Sequence, residues 1–289
     1  MIEQAPSLDY VGEATPYIYL GDSHALIGTL LFEEPQSGRR IATATYTAWG
    51  FSARDVFDKT AGLLAPTLID LLRRCASLHS SYRYSPIPGF PTVRAYEGEQ
   101  PFDEILQVAK LSDDRPHVLC VGELDVRRFV KTVSEDGIDF TLPFAAEAVD
   151  ELPSAPIQAH LPFGQVLNYL LETIGPVLRG IRALREGGLR TLYLHSLPPP
   201  SLDVDAMTDK FGYSVSLRAY YKLVMLVNFI YRRACAEIGI GFIDTWSAVT
   251  EQNLRKPEYG LDIVHLNRAH TILSVQEVHR QFTSIGTAV

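Results

Sequence analysis

The sequence predicts an α/β protein: a three-layer α/β/α sandwich around a central, mainly parallel, five-stranded sheet. Two observations carry this expectation. Short β-branched or aromatic runs alternate along the chain with longer stretches of helical periodicity, the pattern of strand–helix units that cover both faces of a parallel sheet. The chain is also long and apolar enough to fill such a core, with 289 residues of which 46% are hydrophobic, and it shows no internal repeat or low-complexity tract. One domain spanning 1–289 is expected, with loop or lid insertions near 79–100 and 134–162.

The strands follow in order. The first, Tyr17-Ile18-Tyr19-Leu20, runs directly into Gly21-Asp22-Ser23-His24. The second spans 41–46 and ends before Trp49-Gly50. The third, Val118-Leu119-Cys120-Val121, is stopped by Gly122, and the fourth, 191–195, by Pro198-Pro199-Pro200. The fifth spans 240–243 and ends at Asp244. Helical spacing is plain in 63–78 (Leu64, Leu68, Leu71, Leu72), 163–184 (Val166, Leu170, Ile174, Val177) and 216–238 (Leu223, Leu226, Ile230), and a last helix is expected over 268–282. Residues 79–100 are rich in Tyr, Pro and Gly, and 134–162 in acidic residues and proline. Segments of this length without strong periodicity act as lids or binding loops, so both are expected beside the functional site.

Composition narrows the partners. Lys and Arg number 26 against 34 Asp and Glu, a formal net charge of -8, and the densest basic pairs are Arg39-Arg40 and Arg73-Arg74. Nucleic acids and anionic membranes reward clustered cations, so neither is expected as a partner. No apolar run approaches the roughly 20 residues of a membrane-spanning helix. The start, MIEQAPSLDY, lacks the basic and apolar regions of a signal peptide, which leads to a cytoplasmic expectation. Cys75, Cys120 and Cys235 have no CxxC spacing and form neither a disulfide framework nor a zinc site. Cys120 and Cys235 read as small core residues.

Two short motifs carry chemistry. Ser23 stands on the turn between the first strand and an apolar helical start, Ala25-Leu26-Ile27. A serine there exposes its Oγ, and its N–H lies where developing negative charge is favoured. The structural alternative is a helix cap, for which Asp and Ser are preferred. Asp262-Ile263-Val264-His265 precedes the last helix. An Asp three residues before a His can hold the imidazole Nδ1–H and leave Nε2 as a base for a serine. The alternative is a surface turn with Asp262 as its turn residue.

A GDS serine after the first strand, paired with a DxxH near the C-terminal helix, resembles the SGNH (GDSL-like) hydrolases, whose fold is flavodoxin-like. The resemblance implies a catalytic triad of Ser23, Asp262 and His265, with no metal or organic cofactor. It implies an ester or thioester hydrolase working through an acyl-serine, or an acyltransferase using the same triad. The substrate would be a small-molecule or carrier-bound acyl ester. The family's tetrapeptide ends in Leu where this chain has His24, a position read as structural. The family's oxyanion glycine corresponds to Gly50, whose alternative is a plain turn glycine. Its GxND block corresponds to Gly122-Glu123-Leu124-Asp125, with Leu124 in place of the oxyanion Asn. The stretch from Gly122 to Arg127 is similar to a GExDxR branch of the family, which also shows a proline-rich end to the fourth strand and counterparts of Arg218, Asn228 and the DxVHL loop. Arg127 is therefore the candidate replacement donor, its alternative being an ion pair with Glu123 or Asp125. Gly122, Asp22 and Glu123 complete the oxyanion or substrate-binding candidates. His195, at a strand end, reads as a core or rim histidine, and His79, Tyr82 and Tyr84 as lid or surface residues.

Two other classes compete. A metal-dependent phosphoesterase would use Asp22 and His24 as a DxH pair, but needs further ligands beyond His265 and His270. A binding module that kept the fold and lost the oxyanion hole would account for Leu124.

Overall fold

The computed structural model describes residues 15–25, 31–33, 40–48, 50–76, 115–145 and 147–286. Residues 1–10, Leu26, Ile27, Arg39, Trp49, the end of the expected 63–78 helix, and all of 79–100 with His79, Tyr82 and Tyr84 lie outside them.

In chain order, strand β1 (Thr15–Gly21) leads into a short 3-10 turn, Ser23–Ala25. Strands β2 (Leu31–Glu33) and β3 (Arg40–Thr47) follow, then a two-residue pair, β4 (Phe57–Asp58) and β5 (Leu63–Leu64). Helix α1 (Pro66–Ala76) opens on a proline, whose fixed φ and missing N–H suit a first helical turn. Next come β6 (His117–Cys120), α2 (Glu123–Glu135), β7 (Ile138–Phe140), α3 (Glu147–Asp150), β8 (Ala159–Leu161) and α4 (Phe163–Glu186). The chain continues through β9 (Leu192–His195), α5 (Val204–Phe211), α6 (Leu217–Ile238), β10 (Gly241–Ile243) and α7 (Trp246–Val249). It closes with β11 (Thr250–Glu251), β12 (Leu254–Arg255) and α8 (Arg268–Gly286). The long helix α6 has a side-chain cap, Ser216 accepting from the Ala219 N–H, and ends at Gly239 with φ 73°.

The main sheet has the order β10-β9-β6-β1-β3-β2. The five strands expected from sequence are all present and mutually parallel; β2 adds an antiparallel edge to β3. Ranked by chain position, the parallel strands run 2-1-3-4-5, so the order reverses between β1 and β6. Ligands of open parallel sheets bind at this reversal, beyond the carboxyl ends of the strands.

Alternation along each strand builds two cores. Ile18, Leu20, Leu119, Val121, Leu192 and Leu194 join the large cluster with residues of α1, α2, α4 and α6. Tyr17, Tyr19, Val118, Cys120, Tyr193 and Ile243 point to the other face, where Val275 and Val278 of α8 cover them. Successive side chains of a strand project to opposite faces, so runs apolar at every position are those covered on both sides. This is the three-layer arrangement. No helix among the described residues is long and apolar enough to cross a membrane.

Residues 134–162 differ from the loop expected. They form the end of α2, the parallel pair β7–β8, and α3 between those two strands. Buried Lys222 of α6 ties this segment down, its Nζ reaching Asp139 Oδ1 at 3.1 Å, the Phe140 carbonyl at 2.8 Å and Asp150 at 2.8 Å. A buried ammonium needs such partners, and periodicity does not reveal them.

Candidate active site

The site is assembled at the reversal between β1 and β6. At Gly21 the backbone takes φ 145°, and a Cβ there would stand 1.8 Å from the Cys120 carbonyl oxygen. Only glycine allows β1 to end pressed between its neighbours, where the Ala48 N–H donates to Gly21 O (3.0 Å) and the Asp22 N–H to Cys120 O (3.2 Å). Ser23 opens the 3-10 turn that follows. The carboxylate capping this turn belongs to Asp22, whose Oδ1 accepts the His24 N–H at 2.8 Å.

His24 bridges two distant parts of the chain. Its Nδ1 is 3.0 Å from Asp22 Oδ1 and its Nε2 is 3.1 Å from the Val264 carbonyl. Burial works against a charge on this ring, but the Asp22 carboxylate, its hydrogen bond and nearby Glu123 outweigh it and push the pKa up to about 9. His24 is therefore an imidazolium at neutral pH.

The second half is the 260–266 loop, clamped by its own backbone: the Leu261 N–H donates to His265 O, Gly260 pairs with Leu266, and Arg255 Nη2 donates to Asp262 O at 2.9 Å. Asp262 Oδ1 accepts the Val264 and His265 N–H groups at 2.7 Å each, and Oδ2 is 2.8 Å from His265 Nδ1. Partial burial alone would raise the Asp262 pKa, but these bonds hold it at about 2. An ionised carboxylate accepts, so His265 Nδ1 donates to Asp262. The His24 and His265 rings lie 5.1 Å apart.

Asp22, His24, Glu123, His195, His265 and His270 share the lining of one cavity of about 190 Å³. Burial lowers the pKa of His195 to about 4 and of His270 to about 3, and the His24 charge adds to both shifts. His195 Nδ1 is 2.7 Å from the Ser196 carbonyl and Nε2 is 2.9 Å from Ser274 Oγ; His270 Nε2 is 3.0 Å from Thr245 Oγ1. Burial opposes ionisation of Glu123, but His24 and Arg127 hold its pKa below the ordinary carboxylate range.

The other expected residues lie as follows. Arg127 gives Nε to Glu123 Oε1 at 2.9 Å and Nη2 to Oε2, and Tyr220 donates to the same carboxylate at 2.7 Å. This is the ion-pair alternative, and Arg127 is not among the residues lining the cavity. Gly50 occupies an exposed turn at φ 70°, with open space about its Cα, and does not line the cavity either. Gly122 caps α2 at φ 110°, where a Cβ would meet the Tyr231 hydroxyl at 2.4 Å. Asp125 turns away to accept the Ala53 N–H at 2.7 Å, and burial pushes its pKa up to about 6. None of the described residues of 134–162, expected beside the site, lines the cavity. Sequence reasoning missed the ionic role of His24; a charge-bearing side chain at a position read as structural was its signal. Among the described residues, no group of three or more His, Cys, Asp or Glu side chains is arranged to hold a metal ion.

No protein-family model and no curated protein sequence matches the chain. Among solved structures it is similar to a GDSL-like lipase from Bacteroides thetaiotaomicron (13% identity, TM-score 0.42, 99% of this chain and 93% of that one). It is also similar to a phospholipase A1 from Streptomyces albidoflavus (13%, 0.41, 93% and 99%) and to a lipase/acylhydrolase from Enterococcus faecalis (10%, 0.40, 93% and 96%).

Proposed function

We propose that this protein is a serine-dependent hydrolase of acyl esters or thioesters, of the SGNH type, with Ser23 as nucleophile. One observation carries the reading. The imidazole of His265, oriented by Asp262 at 2.8 Å, lines the same cavity as Asp22 and His24, the two chain neighbours of Ser23. A carboxylate-oriented histidine beside a serine-bearing strand-to-helix turn is the constellation that activates a hydroxyl. In this mechanism His265 Nε2 takes the proton as Ser23 Oγ bonds to the substrate carbonyl carbon, and the carbonyl electron pair moves onto oxygen. Asp262 supports the imidazolium that forms. The backbone N–H of Ser23 is the proposed oxyanion donor, since Arg127 is committed to Glu123. The oxyanion then collapses, His265 returns the proton to the leaving group, and water or another acceptor releases the acyl group by the reverse sequence.

A fluorophosphonate probe tests this. The expected result is one adduct, mapped by mass spectrometry to Ser23 and lost in Ser23→Ala. A folded protein that takes no adduct, or takes it elsewhere, overturns the proposal.

A further inference from the structure

The two acceptors around His24 set its charge by geometry alone. The Asp22 carboxylate and the Val264 carbonyl can only accept, and a neutral imidazole has one N–H to offer. Satisfying both requires both ring nitrogens protonated. The surrounding groups agree: Asp22 faces it from its own turn, Glu123 of α2 is held below the ordinary carboxylate range, His195 of β9 and His270 of α8 are held toward the neutral form by burial, and His265 faces it from the loop. What Nε2 holds matters as much. Val264 O belongs to the peptide bond that joins Val264 to His265, and Asp262 Oδ1 holds the N–H groups on either side of that carbonyl. His24 is also the residue next to Ser23.

We infer that His24 is a positioning residue, an imidazolium clasp that holds the Val264–His265 peptide against the Asp22–Ser23–His24 turn and so fixes the distance between base and nucleophile. The inference rests on the proposed roles of Ser23 and His265, but the clasp itself is a statement about two backbone segments 240 residues apart. With one ring proton lost, His24 can serve Asp22 or Val264 but not both, and the loop is released from the turn.

Three readouts on the full chain test it. In ¹⁵N NMR near neutral pH, both ring nitrogens of His24 should be protonated; a neutral tautomer overturns the inference. The rate of fluorophosphonate capture should fall as pH rises through about 9 in the wild type. In His24→Gln it should be slower by about tenfold at neutral pH, the effect of one lost charge-assisted hydrogen bond, and show no alkaline fall. Capture at the wild-type rate, or with the alkaline fall intact, overturns it. Hydrogen exchange decides the matter without catalysis: after correction for intrinsic rates, the 262–266 amides should lose protection between neutral pH and pH 10 in the wild type, while α6 does not. Unchanged protection overturns the clasp even if His24→Gln fails to fold. A wild type that never labels would sink the nucleophile assignment and leave the exchange result to judge the clasp.

Discussion

His24 and His195 line one cavity, yet one is driven toward the charged form and the other toward the neutral form. Both lose water on folding, and burial alone drives any histidine toward its neutral form. His24 meets a carboxylate and a carbonyl, and stays protonated. His195 meets a carbonyl and a serine hydroxyl, which can take one proton and give one, so a neutral ring satisfies both. The contrast teaches that the donor and acceptor capacity of the partners, more than depth, fixes the charge of a buried imidazole. It also divides the cavity lining into an ionic side, where the turn and the 262–265 loop meet, and a neutral side of His195 and His270, each hydrogen-bonded to a buried hydroxyl behind it, Ser274 and Thr245.

The largest expected effect separates the two sides. His265→Ala should slow Ser23 capture by about 10⁴-fold, as loss of a triad base does, whereas His270→Asn should cost less than about tenfold. Equal losses would erase the distinction. The next effect is on stability. His24 has a folded pKa of about 9 against an ordinary 6.5, so its contribution is complete below pH 6.5 and is lost as pH rises through 9. At ~1.4 kcal/mol per pH unit, denaturant unfolding should show an alkaline loss of about 3 kcal/mol that His24→Gln lacks. His195 works in the other direction: its folded pKa of about 4 lies below 6.5, so the unfolded chain takes up the proton first and stability falls as pH drops from 6.5 toward 4. His195→Gln should show a smaller acid loss than the wild type, His270 retaining its share. The smallest effect concerns a residue on neither side. Gly50→Ala should cost about 1 kcal/mol, the strain of a side chain at positive φ, and leave Ser23 capture untouched. A large drop in capture would return Gly50 to the oxyanion site.

Much of the scaffold was legible because it is written locally. All five parallel strands are short apolar runs closed by turn residues, and the alternation of Tyr17 and Tyr19 with Ile18 and Leu20 already encodes two cores. The Asp262–His265 hydrogen bond was legible for the same reason, since three residues of loop bring the pair together. Arg127 could have been assigned from spacing: Glu123, four residues back, shares its helix face, while Asp125, two back, does not. Two features were beyond reach. The Val264 carbonyl that holds His24 has no side-chain identity and lies 240 residues away, so no motif marks it. The β7–β8 pair has three-residue strands, stabilised from outside by Lys222, and leaves no periodic trace.

The tyrosine-bearing face of the sheet depends on the end of the chain. Tyr17 and Tyr19 belong to the first strand, yet their hydroxyls meet His279 and Ser274, and the residues that cover them come from α8. As the polypeptide leaves the ribosome, that face waits for its α8 cover until 268–286 has emerged, and both the Asp262–His265 pair and the acceptor of His24 arrive only just before it. Closure of the second core thus follows directly on the arrival of the 262–265 loop as the chain is made. A nonsense mutation ahead of Asp262 would lose both, whereas one that removed only α8 would keep the Asp262–His265 pair and leave a broad apolar sheet face open to aggregation.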